Sequence, residues 1–440
     1  MSDIVLINPR TSLNIENNEP LNLLSLAAYL EAKNLTASIF DEFRPLTSLE
    51  EALRQTRYIG ITSNTCSYPR AVELVQHIKR YFPHVRTIAG GVHPTTRPDD
   101  AFRDGFDIVV VGEGERALVR ILSEAITEGL VHGTEVSEQE LYRPARHLID
   151  MPFYARTKDR CPHDPNLNFM SRGTRMACYL TSRGCPFQCI FCHNIWRHSK
   201  VRFVETDRVI EELTSLKTTY QVEAVWLMDD HIFLHKSRAI DLFQKMIASR
   251  LNLIWASAAR VDSLSDELLE LAYRAGCRRL SLGIESGSQR ILDRISKGTT
   301  VEANARAIAM CKKHNIRALA TIMIGNPDET LSDLRATQAF IRRTQPDDLA
   351  VSILTPFPGT LLWKQCEEKG LIPSHPVFSQ FNYLKAPVQL SCFISPERLE
   401  VYKRRILTRY YLHPSRLSPF LGKVLSNPWS MFHKVSEYFL

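Results

Sequence analysis

Along the first 130 residues, short β-branched runs alternate with stretches whose apolar positions recur at helical spacing. "IVLINP" (4–9), "ASIFD" (37–41), "YIGITS" (58–63), "RTIAGG" (86–91) and "DIVVVGEGE" (107–115) read as strands. "LNLLSLAAYLEAKN" (21–34) and "AVELVQHIKRYF" (71–82) read as helices, the second with Val72, Val75, Ile78 and Phe82 on one side. Strands apolar throughout are buried on both faces, so the pattern predicts a parallel, doubly wound, Rossmann-like sheet over residues 1–130. Residues 131–175 lose the periodicity and predict a linker with some packed segments.

A second β-α series follows. Its strands are predicted at 177–182, 224–229, 253–258, 279–286, 318–325 and 348–354, with helices such as "DRVIEELTSLKTTY" (207–220) and "DELLELAYRAG" (266–276) between them. Six such units predict a partial (β/α)6 barrel of the TIM type over 176–370, and 371–440 a helical extension. The fold class is therefore α/β. Both kinds of sheet bind ligands at the C-terminal ends of their strands. In the first sheet those ends carry "NPR" (8–10), "SNTCSYP" (63–69), "GGVHPT" (90–95) and "GEGE" (112–115). They also read as ordinary tight turns, and no G-x-G-x-x-G nucleotide fingerprint follows the first strand.

A length of 440 residues fits two or three domains. No apolar run reaches the roughly 18 residues of a membrane span, and the start "MSDIVLINPR" lacks the basic and apolar regions of a secretory leader. The expected compartment is the cytoplasm. The net charge of +7 sits almost wholly in residues 401–440, where seven Lys or Arg face Glu437 alone. The rest of the chain is near neutral, which argues against general nucleic-acid binding. The basic tail reads as a solvated helical extension or, with Trp429, Phe432, Val435 and Phe439 at helical spacing beside Lys434, as a helix touching a membrane surface.

Ten cysteines in a reducing compartment do not suggest a disulfide framework. Three of them form Cys185-x3-Cys189-x2-Cys192, just after the first strand of the second series. Structural zinc would want a fourth ligand, and His193, directly after Cys192, is awkwardly placed. A thioredoxin-like pair would leave Cys185 surplus. A [4Fe–4S] cluster on three thiolates leaves one iron open to a small molecule.

The cysteine spacing, with Phe191 before the third cysteine, resembles the radical S-adenosylmethionine (SAM) superfamily. "PLNLLSLAAYLE", "AGGVHPT", "VVGEGE", "TSRGCPFQCIFC", "MDD", "LGIESGS", "MIGNPDET" and "TPFPGT" resemble, in order, the class that adds a cobalamin-binding N-terminal domain. The resemblance implies an enzyme with a [4Fe–4S] cluster, SAM and cobalamin, in which SAM on the open iron is cleaved to a 5′-deoxyadenosyl radical. It implies Cys185, Cys189 and Cys192 as cluster ligands and Phe191 beside the adenine. Asp229 and Asp230 stand where a carboxylate receives the SAM amino group, or they cap a turn. Arg260 neutralises the SAM carboxylate or forms a structural ion pair. Glu285 and Ser286 stand at the ribose, and Ile324 forms the adenine wall. Asn326 and Asp328 depart from the usual Leu and Gly.

For cobalamin the resemblance points to Ser63, Asn64, Thr65, Gly90, Gly91, His93, Gly112 and Glu113. The chain lacks an Asp-x-His-x-x-Gly motif, so His93 reads as a loop or tail contact rather than a cobalt ligand. The implied reaction is methyl transfer to an unactivated carbon or phosphorus of a small-molecule substrate. That substrate would lie between the domains, closed in by the loops after 355 and the segment 370–392. The electron donor would be a flavodoxin or ferredoxin. The alternatives are a cyclisation without net methylation, as in anaerobic magnesium-protoporphyrin monomethyl ester cyclases, and an inert iron–sulfur regulatory protein.

Overall fold

A computed structural model describes residues 2–10, 18–54, 56–161, 164–193, 200–391 and 393–413. The tail positions Trp429, Phe432, Lys434, Val435, Glu437 and Phe439 lie outside the described residues.

The first sheet consists of β1 (Ile4–Asn8), β2 (Ala37–Asp41), β3 (Tyr58–Thr62), β4 (Arg86–Gly90), β5 (Ile108–Val111) and β6 (Gly129–His132). All pairings are parallel, in the order β2-β1-β3-β4-β5-β6. The chain order reverses between β1 and β3, and in such sheets the ligand crevice opens at that switch, over the C-terminal strand ends. Alternation along β1 explains the two layers: Ile4 and Leu6 pack on one side with helix Leu21–Glu31, Val5 and Ile7 on the other with helix Tyr68–Tyr81. The short strand β6 is not apparent from its sequence, because only Val131 of its four residues is fully buried.

The second sheet contains β7 (Met176–Tyr179), β10 (Ala224–Leu227), β11 (Ile254–Ala259), β12 (Cys277–Glu285), β13 (Arg317–Ile324) and β14 (Asp348–Ile353). These strands pair in parallel and strictly in sequence, with β7 and β14 as the two edges, which is the expected open, partial barrel. A two-residue hairpin, β8 (Ser182–Arg183) with β9 (Arg202–Phe203), lies between β7 and β10 and closes the base of the cysteine loop. The first predicted strand of this series is thus cut short at Tyr179.

The two sheets share a core. One apolar cluster runs from Ile4, Leu24 and Ala27 to Met176, Cys178, Ala224 and Ala256 of the barrel. At its margin Arg146 is fully buried and bridges both parts. Its Nε donates to Glu19 (2.9 Å), Nη2 to the Cys178 carbonyl (2.6 Å) and Nη1 to Glu212. Glu19 in turn accepts the Cys178 amide. Truncating Arg146 to Ala leaves buried Glu19 without its cation, while Glu212 keeps Arg143 at 2.8 Å. The expected cost is about 3–5 kcal/mol, read as a fall in the denaturant midpoint.

The C-terminal region is less helical than its sequence suggests. Across 371–391 the sole regular element is the turn Phe378–Gln380, and α-helix resumes at Pro396–Tyr411. That helix packs on the edge strand β14, where the Tyr410 hydroxyl donates to the Pro346 carbonyl (2.6 Å) and the Tyr411 hydroxyl to the Leu349 carbonyl (3.2 Å). Among the described residues no helix is long and apolar enough to cross a membrane.

Candidate active site

The cysteine loop leaves the β8–β9 hairpin through Gly184, whose φ of +101° is a conformation that glycine tolerates best. Two barrel loops hold it. The Ile190 amide donates to the Ile295 carbonyl (3.2 Å), and the Leu362 amide donates to the Ile190 carbonyl (2.9 Å). Cys189 is buried, Cys185 half-buried, and Cys192 opens to the cleft. Burial, Asp230 and the neighbouring thiol of Cys189 push the Cys185 thiol up, against the Phe187 amide, which lowers it. Protein crowds Cys192 even though it faces the opening. That desolvation, with the other two thiols and Asp230, pushes it up to about 12. Cys185 and Cys192 therefore both feel Cys189 and one carboxylate, Asp230. Among the described residues, however, no trio of His, Cys, Asp or Glu converges closely enough for a single metal ion. Three thiolates on a cubane each take a different iron, so they need proximity without a common point. The donor set fits that group better than it fits zinc.

The structure parts the two aspartates at the end of β10. Asp229 is buried and accepts from the Thr181 amide (3.2 Å), the Thr181 hydroxyl (2.9 Å) and the Ser182 hydroxyl. It ties β10 to the start of the cysteine loop, so its carboxylate is not turned to the cleft. Asp230 is exposed and faces the cysteines, and desolvation within the concavity together with Asp229 pushes its carboxyl up.

Arg260 is almost fully engaged. It donates to both Asp262 oxygens (3.1 and 2.8 Å) and to the Lys297 carbonyl (2.9 Å). Its Nη1 approaches Cys189 Sγ at 3.9 Å, and its plane lies 3.6 Å from the centroid of the Phe187 ring. Arg260 thus forms the expected ion pair, with Asp262.

At the end of β12 the register shifts between Gly283 and Glu285, and Glu285 takes a left-handed φ of +61°. The turn aims its carboxylate at the buried ammonium of Lys297, 2.7 Å away. Burial alone would lower that lysine, but Glu285 holds it above its ordinary value. Gly283 lies beneath the pair, and a Cβ there would stand 2.6 Å from Lys297 Nζ and push the pair aside. Lys297 also lies 6.0 Å from the Phe191 ring. Ser286 is buried, with its hydroxyl on Thr337 (3.2 Å) and on the Ser288 amide (3.1 Å). Ile324 is fully buried at the end of β13. Beyond it, Asp328 has a φ of +58°, the conformation that glycine adopts freely, and pairs with Arg294.

Lys297, Asp262 and Phe187 are the site residues the sequence does not reveal. Lys297 sits in an unremarkable turn, "SKGTT", and only the bulge at Glu285 brings it in.

The strand ends of the first sheet divide into two groups. Around β3 and β4, Ser63, Thr65 and His93 are buried. Gly91 (φ +96°) lies so close that a Cβ would meet the Ser63 carbonyl at 2.8 Å, whereas a Cβ on Gly90 would meet nothing within 4 Å. The Asn64 side chain accepts the Ser67 amide (2.9 Å), opening helix Tyr68–Tyr81. Ser63 Oγ has no hydrogen-bond partner, and neither does either ring nitrogen of His93. His93 stacks on Tyr68 at 3.9 Å, meets Phe378 at 4.6 Å, and is pushed down to about 3 by burial. An orphaned hydroxyl beside open space over Gly90 fits an amide-bearing ligand such as cobalamin. Phe378 and Phe381 lie next to it, with the Cys66 thiol on the Phe381 carbonyl (2.6 Å).

Gly112 stays with the helix that carries His93, and Glu113 turns away from it. The Gly112 amide donates to Thr95 (3.2 Å). Glu113 is buried, accepts the Val136 amide (2.9 Å) and forms a two-pronged pair with Arg202 of β9. Its carboxylate is spent on joining the first sheet to the base of the cysteine loop. Burial would raise its pKa, but Arg202 and the Val136 amide hold it below the usual glutamate range. The linkage sign follows: its stabilisation is present above the ordinary glutamate pKa and is lost as pH falls through the depressed folded value. Arg202→Ala is expected to cost about 1–3 kcal/mol near neutral pH, by leaving buried Glu113 with the Val136 amide and the more distant Arg183 (3.8 Å) in place of its two-pronged partner. That deficit should shrink as an acid titration of unfolding protonates the carboxylate.

The cysteine loop and the first sheet meet at Gly359. A Cβ there would stand 3.0 Å from Thr96 Cβ, at the end of helix Val92–Thr96, and 3.2 Å from His193 Nε2, next to Cys192.

The chain matches the family model described as the radical SAM superfamily over residues 179–341, and the B12 binding domain model over 16–122. It is 31% identical over 373 residues to an uncharacterized methyltransferase, PH0819, of Pyrococcus horikoshii, covering 82% of this chain and 79% of the relative. It is 28% identical to the anaerobic magnesium-protoporphyrin IX monomethyl ester cyclase of Rubrivivax gelatinosus, covering 84% and 69%. Among solved structures, the cobalamin-dependent SAM radical enzyme OxsB, with aqua-cobalamin and SAM bound, superposes with a TM-score of 0.74 at 17% identity, covering 93% of this chain and 67% of that one. That likeness shows a shared fold. The sequence match over most of both chains shows more: the protein belongs to the radical SAM superfamily, as an enzyme that joins a B12-binding domain to a [4Fe–4S]- and SAM-dependent domain.

Proposed function

We propose that this enzyme transfers a methyl group to an unactivated carbon or phosphorus centre of a small molecule held between the two sheets. The observation that carries the reading is the junction at Gly359, a glycine flanked both by His193, next to Cys192, and by Thr96, at the end of helix Val92–Thr96. Two cofactors on those two elements would face one substrate, which is what a reaction between them requires. When bound, the cluster, SAM and cobalamin supply one-electron and methyl-carrier chemistry.

The chain's own residues hold and enclose these groups. In this reading Cys185, Cys189 and Cys192 hold the cluster, and Asp230 receives the SAM ammonium as a charge-assisted partner. Glu285, fixed by Lys297, meets the ribose. Phe191 and Ile324 wall the adenine, and buried Ser286 braces that wall from behind. Ser63, Asn64, Thr65, Gly90 and Gly91 cradle cobalamin, while His93 supports the cradle from beneath, Gly112 ties to it through Thr95 and Glu113 joins it to the barrel. The segment 371–391 shields the site from water through Phe378 and Phe381. The units are taken as 1–130, 131–175, 176–370 and 371–440. A flavodoxin or ferredoxin in the cytoplasm would deliver electrons. The basic face of helix Pro396–Tyr411 (Arg404, Arg405 and Arg409 are exposed) would lead into a tail resting on a membrane surface.

The cyclase relative supports a second reading, ring closure without methylation. Mass spectrometry of products from the anaerobically reconstituted enzyme separates the two. A product heavier by one methyl group supports transfer, and an unchanged carbon count with SAM consumed supports cyclisation.

A further inference from the structure

Two buried cations, Arg260 and Lys297, converge on Cys189, while Asp230 acts on Cys185 and Cys192. Arg260 places Nη1 at 3.9 Å from Cys189 Sγ, and its other donors fix that direction through Asp262 and the Lys297 carbonyl. Phe187, from the cysteine loop itself, packs against the guanidinium at 3.6 Å. The counter-charges are unequally placed. Arg260 is buried, while Asp262 is over a third exposed and so partly screened by water. The second cation, Lys297, is closely matched by equally buried Glu285. The uncompensated positive field at Cys189 is therefore mainly that of Arg260.

Hydrogen bonds to ligand sulfurs and the local charge set the potential of an iron–sulfur centre. Reduction adds one electron, and with it one negative charge, from an external low-potential donor, which is itself oxidised. A fixed cation beside a ligand sulfur stabilises the reduced form and raises the potential. We propose that Arg260 is a positioning residue that sets the reduction potential of the cluster through Cys189, with Asp262 as its opposing trim. The inference rests on the reading of the three cysteines as cluster ligands.

The test is an EPR-monitored redox titration of the reconstituted full-length protein without SAM, with iron and sulfide determined on each sample. R260Q should lower the ratio of reduced to oxidised cluster at fixed potential about tenfold, a shift of about 59 mV downward for one electron. R260K, which keeps the charge, should recover most of it. D262N should shift the potential upward, because it removes the anion and leaves the cation. A mere brace for the loop would lose iron in R260Q and D262N alike, with no opposed shifts. A full cluster whose potential is unmoved, or moves the same way in both variants, overturns the proposal. If R260Q fails to hold iron, D262N alone decides, by rising or not. A wild-type sample that yields zinc, or no cluster signal at all, defeats the cysteine reading instead.

Discussion

Replacing Cys189 by alanine should take the anaerobically reconstituted protein from about four irons per chain to fewer than one, and SAM cleavage below detection. In the proposed reading these three thiols hold the cluster, and Cys189 is the buried one, its neighbour Ile190 pinned between Ile295 and Leu362. Loss of one ligand leaves two iron positions open rather than one, and such a cubane sheds iron. Cys185→Ala and Cys192→Ala should behave alike. Cys161→Ser, half-buried in the segment before β7, should keep its iron and so serve as the control.

The second large effect separates the two adjacent aspartates. Asp230→Asn should weaken SAM binding roughly ten- to hundredfold, the worth of one charge-assisted hydrogen bond, with the melting temperature unchanged. Asp229→Asn should do the opposite. An amide at 229 turns a donor toward the donors on Thr181 and Ser182, so stability should fall by about 1–3 kcal/mol and the cysteine loop should loosen at its root. Equilibrium SAM binding and thermal unfolding, measured on both variants, check the pair. Equal losses of binding without loss of stability would show that the two carboxylates share one role.

Much of the architecture is legible in the sequence because parallel strands buried on both faces read as apolar runs. "IVLIN", "YIGIT" and "RALATIMI" are strands as predicted. β6 is too exposed to stand out, and the expected helical extension starts only at Pro396, because 371–391 carries Pro373, Pro376 and Pro387 and lays Phe378 against Tyr68 and His93. The cysteine motif is visible because its spacing is local. The destinations of charged side chains are not, since they depend on contacts far apart in the chain. Glu113 ends on Arg202, 89 residues away, and Asp229 on Thr181, 48 residues away. Glu285 needs a backbone bulge to reach Lys297. A one-dimensional pattern can mark a carboxylate at a strand end, but not the partner it will find there.

The central claim is that three protein thiolates hold a cubane with one iron left for SAM. The most direct measurement is the EPR spectrum of the reduced, anaerobically reconstituted protein, recorded before and after adding SAM, with iron and sulfide counted on the same sample. The account predicts about four irons and four sulfides per chain, and a spectrum that changes when SAM arrives. Zinc in place of iron, or a full cluster whose spectrum ignores SAM, would contradict it.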